Sequence, residues 1–322
     1  QPVSVEFEVF KQKFDASLQS SNPLLGEVIN FIKQRKGKMM RPMLAMLMAK
    51  LCGEIADSTY YAAISLELLH TASLVHDDVV DESDKRRGQS SVNAIYDNKV
   101  SVLVGDYLLA TSLTNAALTG DIRLVELVSR LGQNLSEGEI IQLTNTNATD
   151  FSEEVYFDVI RKKTAALFSS AAEAGVISVK SSDEMIEKAA LFGELIGIAF
   201  QIKDDIFDYS DIEDLGKPTM NDIRDGKATL PIIKSLQRAT KEEANHIKEI
   251  AEAIASQSPL IDIFEAEQEI RSFVLRYDGI RYAYQLMDQY RKKAIEALSL
   301  FSDNKYKRNL LSLLDYAIQR VH

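Results

Sequence analysis

Apolar residues recur at helical spacing along almost the whole chain, and this limits the fold more than any other feature. Only six prolines and fourteen glycines punctuate the 322 residues, and no long run alternates apolar and polar side chains as a half-buried strand would. The best strand candidate, VISVK (Val176 to Lys180), is short and flanked by helical pattern. No Pro/Gly/Ser-rich linker, low-complexity tract or short repeat divides the sequence. The prediction is an all-α fold, one domain over residues 1–322, built as a bundle of about a dozen helices. Two polar interruptions stand out: ESDKRRGQSS (Glu82 to Ser91) and SDIEDLGKPTMNDIRDGKATLP (Ser210 to Pro231). Loops on a helical scaffold are where binding elements sit.

Composition narrows the function. The longest unbroken apolar runs, such as PMLAMLMA (Pro42 to Ala49), are far short of a bilayer span, so no transmembrane segment is expected. No charged-then-apolar signal segment opens the sequence, and the expected location is the cytoplasm. The single cysteine, Cys52, rules out an intrachain disulfide and a cysteine metal cluster; it is expected to be a small core residue. A net charge of −11 repels nucleic acid and anionic membranes. Anions can still bind where Lys and Arg are gathered.

The stretch His76-Asp77-Asp78-Val79-Val80-Asp81 follows an apolar, helix-favouring segment, where unpaired charge costs several kcal/mol. It has an echo in Gln201-Ile202-Lys203-Asp204-Asp205-Ile206-Phe207-Asp208, again after an apolar helical run. Residues four apart share a helix face, so Asp77 lies with Asp81 and Asp204 with Asp208. Like charges at that spacing need a counter-charge. Oxygen-only ligands suit a hard cation such as Mg²⁺, whereas zinc would want His or Cys at ligand spacing and the chain has only four His. A single acidic triplet is usually a solvated helix end; two copies, each embedded in apolar helix, point to metal.

The cations gather near these motifs. Lys38 and Arg41 are three apart beside Pro42, Arg86 and Arg87 follow the first motif, Lys162-Lys163-Thr164 opens an apolar helix, and Lys217 and Lys227 lie in the second polar loop. Together they read as anion sites, with Arg forks matching phosphate oxygens and Lys supplying point charges. His70 lies two turns before Asp77 on the same stripe.

GKMMRP, LLHTASLVHDDVVDESDKRRG, GDYL, GEIIQL, KKTAALF, FQIKDDIFDY and GKPTMNDIRDGKATLP resemble the ordered motif set of the trans-isoprenyl (polyprenyl) diphosphate synthases, long-chain type, from about Gly37 to Pro231. The resemblance implies helices around a deep central cavity, a homodimer, and about three Mg²⁺ bound together with diphosphate. By matching position it implies metal ligation by Asp77, Asp81 and Asp204, with Asp78, Asp205 and Asp208 ligating or supporting. Arg86, Lys163, Thr164, Gln201, Lys217 and Lys227 resemble the residues that hold the allylic diphosphate. Lys38, Arg41, His70 and Arg87 resemble those that hold isopentenyl diphosphate. The implied reaction is head-to-tail condensation of isopentenyl diphosphate with an allylic diphosphate, farnesyl or geranylgeranyl, with no protein nucleophile.

Product length follows from the positions before the first motif. In the family, bulky aromatics at the positions of Ala72 and Ser73 resemble a floor that stops growth; here both are small. Leu66, eleven residues before Asp77, returns to nearly the same line about 16 Å down. The expectation is a long all-trans product, about C35 to C50, for quinone side chains. The alternatives are a short-chain synthase making farnesyl or geranylgeranyl diphosphate, a regulatory subunit of a heteromeric synthase, and an α-helical terpene cyclase.

Overall fold

The computed structural model describes residues 3–34, 37, 39–86, 89–145, 152–209 and 219–319. Among these residues the chain is all-α apart from one hairpin of two-residue strands. Contacts within the chain gather into two compact units: Gln1–Gln133 with Leu167–Gly193 and Ala297–Leu313, and Asn134–Ala166 with Glu194–Glu296 and Leu314–His322.

The first unit contains α1 (Ser4–Ser17), α2 (Pro23–Gln34), α3 (Met40–Cys52), α4 (Asp57–Val80) and α5 (Val92–Leu118). The most extensive helix pairing is α4 against α5, and small residues set its closeness. Ser65 Oγ donates to Ser112 O and Ser112 Oγ to Ser65 O, both at 2.8 Å. Further along, a Cβ at Gly105 would lie 2.2 Å from His76 Nε2, so the imidazole fills the space that Gly105 leaves. The loop after α4 is not wholly irregular. Lys85–Arg86 (β1) pairs antiparallel with Gln89–Ser90 (β2).

Then come α6 (Ile122–Asn145), α7 (Glu153–Ile160), a π-helical turn over Arg161–Ala165, α8 (Ala166–Ser178) and α9 (Asp183–Asp208). The strand candidate at Val176 to Lys180 is mostly the end of α8. Val176 and Ile177 are buried at 0% and 3% exposure, and packing overrides their strand preference.

The second unit continues with α10 (Asn221–Arg224), α11 (Leu230–Arg238), α12 (Lys241–Ala255), α13 (Ile263–Arg276), α14 (Gly279–Ala297) and α15 (Lys305–Gln319), the last two reaching into both units. Its core joins Tyr209, Met220, Ile223, Ile232, Ile270 and Phe273. The latter half of the second polar stretch is therefore packed: Met220, in the left-handed region at φ 62°, and Leu230 are fully buried.

Candidate active site

The C-terminal end of α4 presents the first aspartate motif, and burial separates its members. Asp78 is 1% exposed, Asp77 half-buried and Asp81 exposed at the helix C-cap, where its N–H donates to Asp77 O at 2.8 Å. Arg86, from β1, donates through Nε to Asp78 Oδ1 at 2.6 Å. The Asp78 carbonyl accepts from Ser83 N–H at 2.9 Å and Asn93 Nδ2 at 3.2 Å. Asp78 thus ties the hairpin to the helix end, and Arg86 is turned onto it. Asp77 and Asp81 share the less buried side.

Deeper in the same unit, Arg41 makes two parallel bonds to Glu67, Nε to Oε2 at 3.2 Å and Nη2 to Oε1 at 3.3 Å. Glu67 is 7% exposed. It fixes the plane of the guanidinium one turn of α4 before His70. The sequence reading missed it; a carboxylate inside an apolar helix three residues before His70 was the available signal. Ala72 is buried and Ser73 half-buried, with Ser73 Oγ donating to His70 O at 2.9 Å. His76 Nε2 lies 3.2 Å from Val102 O and 3.4 Å from Asp106 Oδ1, a contact of the α4–α5 crossing.

In the second unit, the end of α9 carries Asp204, Asp205 and Asp208. Asp205 is 1% exposed and accepts from Tyr156 Oη at 2.5 Å and Gln201 Nε2 at 2.9 Å. Thr164 Oγ1 donates to Gln201 Oε1 at 2.8 Å. The chain Thr164–Gln201–Asp205–Tyr156 fixes which way the Gln201 amide points. Burial pushes the Asp205 carboxyl up to about 7, against the hydrogen bonds from Tyr156 and Gln201. Asp208 accepts from the N–H groups of Asn221 and Asp222, each at 3.0 Å. Asp222, also missed in the sequence, has its carboxyl held well above the usual range by burial and then by the negative charges of Asp208 and Asp205.

Lys162, Lys163 and Thr164 do not open a helix; they form the π-turn between α7 and α8. Such a turn shifts helical register and re-aims side chains. Lys163 Nζ donates to Glu139 and, at 3.2 Å, to Gln142 Oε1. Lys227 pairs with Asp225 at 2.9 Å. Lys38, Arg87 and Lys217 lie outside the described residues. Cys52, at the end of α3, is half-buried rather than a core residue, and burial pushes its thiol up to about 11.

The donor set fits a hard divalent cation. Every candidate ligand is a carboxylate oxygen; after burial, the negative charges of Asp208 and Asp205 help to raise Asp222, and that of Asp204 helps to raise Asp205, which bound positive charge would relieve. Among the described residues, no three His, Cys, Asp or Glu side chains form a ready-made metal group. Mg²⁺ usually takes one or two carboxylates and completes its shell with water and substrate phosphates.

A family model described as Polyprenyl synthetase matches residues 22–265. The chain belongs to the polyprenyl synthetase family. It is similar to the octaprenyl diphosphate synthase of Haemophilus influenzae, with 34% identity over 98% of this chain and 94% of that protein. Among solved structures it resembles the geranylgeranyl pyrophosphate synthase of Bacteroides thetaiotaomicron (46% identity, TM-score 0.84, 99% and 97% of the two chains). It also resembles a polyprenyl synthase of Caulobacter crescentus complexed with calcium and isoprenyl diphosphate (30% identity, TM-score 0.89, 99% and 96%). As a polyprenyl synthetase the chain is a prenyltransferase enzyme, and the family uses isopentenyl and allylic diphosphates with a divalent metal. Among the described residues, no helix is long and apolar enough to cross a membrane.

Proposed function

We propose that this polyprenyl synthetase performs Mg²⁺-dependent head-to-tail condensation of isopentenyl diphosphate with farnesyl or geranylgeranyl diphosphate, elongating to a long all-trans polyprenyl diphosphate. The observation that carries the reading is the cluster of three carboxylates, Asp205 buried and Asp208 and Asp222 half-buried, joined by the Asp222 N–H that donates to Asp208 at 3.0 Å; burial raises all three carboxyls, and in Asp222 the charges of Asp208 and Asp205 add to it. Residues 1–322 act as one catalytic chain. Asp77, Asp81 and Asp204 are the proposed metal ligands; Asp78, Asp205 and Asp208 support them.

Mg²⁺, when bound with the diphosphate, supplies positive charge to the leaving group. Lys163 and Lys227, with Lys217, hold the allylic diphosphate as its C–O bond breaks and the electron pair leaves with it. Thr164 and Gln201 are fixed against one another and present oriented dipoles to the departing group. Arg41, braced by Glu67, holds isopentenyl diphosphate with His70, Lys38 and Arg87. Its double bond attacks the allylic carbon, and the proton lost afterwards goes to the released diphosphate. No side chain forms a covalent intermediate.

For product length, the small side chains of Ala72 and Ser73 before Asp77 support a product of about C35 to C50, as does the octaprenyl name of the Haemophilus relative. A C20 product is the second reading, favoured by the name of the 46% identical Bacteroides structure. A homodimer is proposed on α5, which leaves Ile95, Val102, Leu103, Leu113 and Leu118 between 41% and 68% exposed.

Purified protein given farnesyl diphosphate and excess isopentenyl diphosphate, with Mg²⁺ or with chelator, decides among these. Metal-dependent C35 to C50 products support the proposal, and arrest at C20 establishes the second reading. Absence of condensation by the purified chain points to a regulatory subunit, and cyclic hydrocarbon to a terpene cyclase.

A further inference from the structure

Two adjacent lysines of the π-turn, Lys162 and Lys163, meet three consecutive residues of α6, Glu137-Gly138-Glu139. A Cβ at Gly138 would lie 2.8 Å from Lys163 Cγ and 2.9 Å from Lys162 Cβ. The two backbones therefore approach as only glycine allows. On either side of that contact, Glu137 and Glu139 diverge by about 200° around the helix. Glu137, 60% exposed, takes Lys162 at 2.8 Å on the outer side. Glu139, 12% exposed, takes Lys163.

Glu139 uses one carboxylate oxygen for that pair. The other, Oε1, is buried with no hydrogen-bond partner among the described residues. An unmet acceptor of this kind is destabilising in the fold alone. Gln142, one turn further along α6, accepts from the same ammonium at 3.2 Å. An ammonium has three N–H donors. Two are committed to α6, and the direction of the third is then determined.

We infer that Glu139 is a positioning residue: with Gln142 it aims the remaining N–H of Lys163 at the allylic diphosphate, while Glu137 draws Lys162 away. The inference rests on the reading of Lys163 as a diphosphate ligand. Glu139 touches no substrate and acts only through Lys163. The Glu-Gly-Glu triplet thereby sorts two identical neighbours into one solvent-facing lysine and one held for substrate.

A double-mutant cycle on the full chain tests this. Lys163→Ala is expected to lower kcat about 100-fold or more. Glu139→Gln is expected to lower kcat about 10- to 100-fold while KM for isopentenyl diphosphate stays within about two-fold. Glu139→Asp, which keeps the charge, recovers part of the loss. In the Lys163→Ala background, Glu139→Gln should change kcat by less than about two-fold, because the residue has nothing left to aim. Glu137→Gln leaves activity within about two-fold of wild type. Thermal melts accompany each variant, and Glu139→Asp carries the comparison if Glu139→Gln fails to fold. Wild-type activity in Glu139→Gln, or losses that multiply in the double variant, overturns the positioning role. Wild-type activity in Lys163→Ala overturns the reading of Lys163 on which it rests.

Discussion

Arg86 is expected to act on stability before it acts on substrate. Its Nε lies 2.6 Å from Asp78 Oδ1, and Asp78 is 1% exposed while the Arg86 side chain is 29% exposed. Removing one partner of a fully buried pair costs about 3–5 kcal/mol, because the other charge is stranded. Water that reaches the arginine side lessens this to about 2–3 kcal/mol. With an unfolding entropy near 2.1 cal/mol/K per residue, the 322-residue chain loses about 3–4 °C in Tm for Arg86→Ala if it unfolds in one transition. The assay is thermal unfolding of Arg86→Ala, Asp78→Asn and the double variant, without substrate. In the Asp78→Asn background no carboxylate remains to be stranded, so adding Arg86→Ala should cost less than about 1 °C. If Arg86→Ala melts with wild type and shows only a raised KM for the allylic substrate, the ion pair contributes nothing to the fold and the reasoning fails.

Asp77→Ala should lower turnover by about 100-fold or more while leaving Tm within about 2 °C, since Asp77 is a half-buried proposed metal ligand; a Mg²⁺-dependent rate near wild type removes the assignment. Ser73→Phe should shorten the product by several isoprene units, read by mass spectrometry, and an unchanged distribution shows that growth does not pass this position. Cys52 should resist alkylation at pH 8 in the folded protein, because burial pushes its thiol to about 11 and the thiolate is the reactive form; rapid labelling without denaturant contradicts that environment.

The helices and the two aspartate motifs were legible because both depend on spacing within one segment. Asp77 and Asp81, or Asp204 and Asp208, share a face by local geometry alone. What could not be read are groups that work through a distant element. Glu67 acts on Arg41 from 26 residues away, Glu139 on Lys163 from 24, and Tyr156 on Asp205 from 49. No periodicity encodes such pairings. The π-turn was hidden for a related reason: its sequence, RKKTA, is ordinary for a helix. The packing of Gly138 against Lys162 and Lys163 makes the irregular turn visible only in three dimensions. At Val176 and Ile177 local preference pointed the wrong way, and burial among helices decided the outcome.

The two motifs keep a buried carboxylate at the same place in the D-D-x-x-D pattern, yet they stabilise it by different means. Asp78 is held by a cation, the Arg86 guanidinium. Asp205 is held by neutral donors, the Tyr156 hydroxyl and the Gln201 amide. A charge-assisted bond is about twice as strong as a neutral one, whereas burial among neutral groups leaves a net penalty, seen in the rise of the Asp205 carboxyl to about 7. Its folded-state value lies above the unfolded one, so the group binds its proton more tightly when folded. Its contribution to stability is largest below the unfolded value and is lost as pH rises toward 7. At pH 8 without metal, Asp205→Asn removes a destabilising charge and should raise Tm, while Asp78→Asn removes a stabilising one and should lower it. Both should reduce turnover. Opposite shifts from equivalent substitutions would follow only if one buried carboxylate, Asp78, carries its counter-charge in the fold and the other, Asp205, does not; a fall in Tm of similar size for both variants refutes that division.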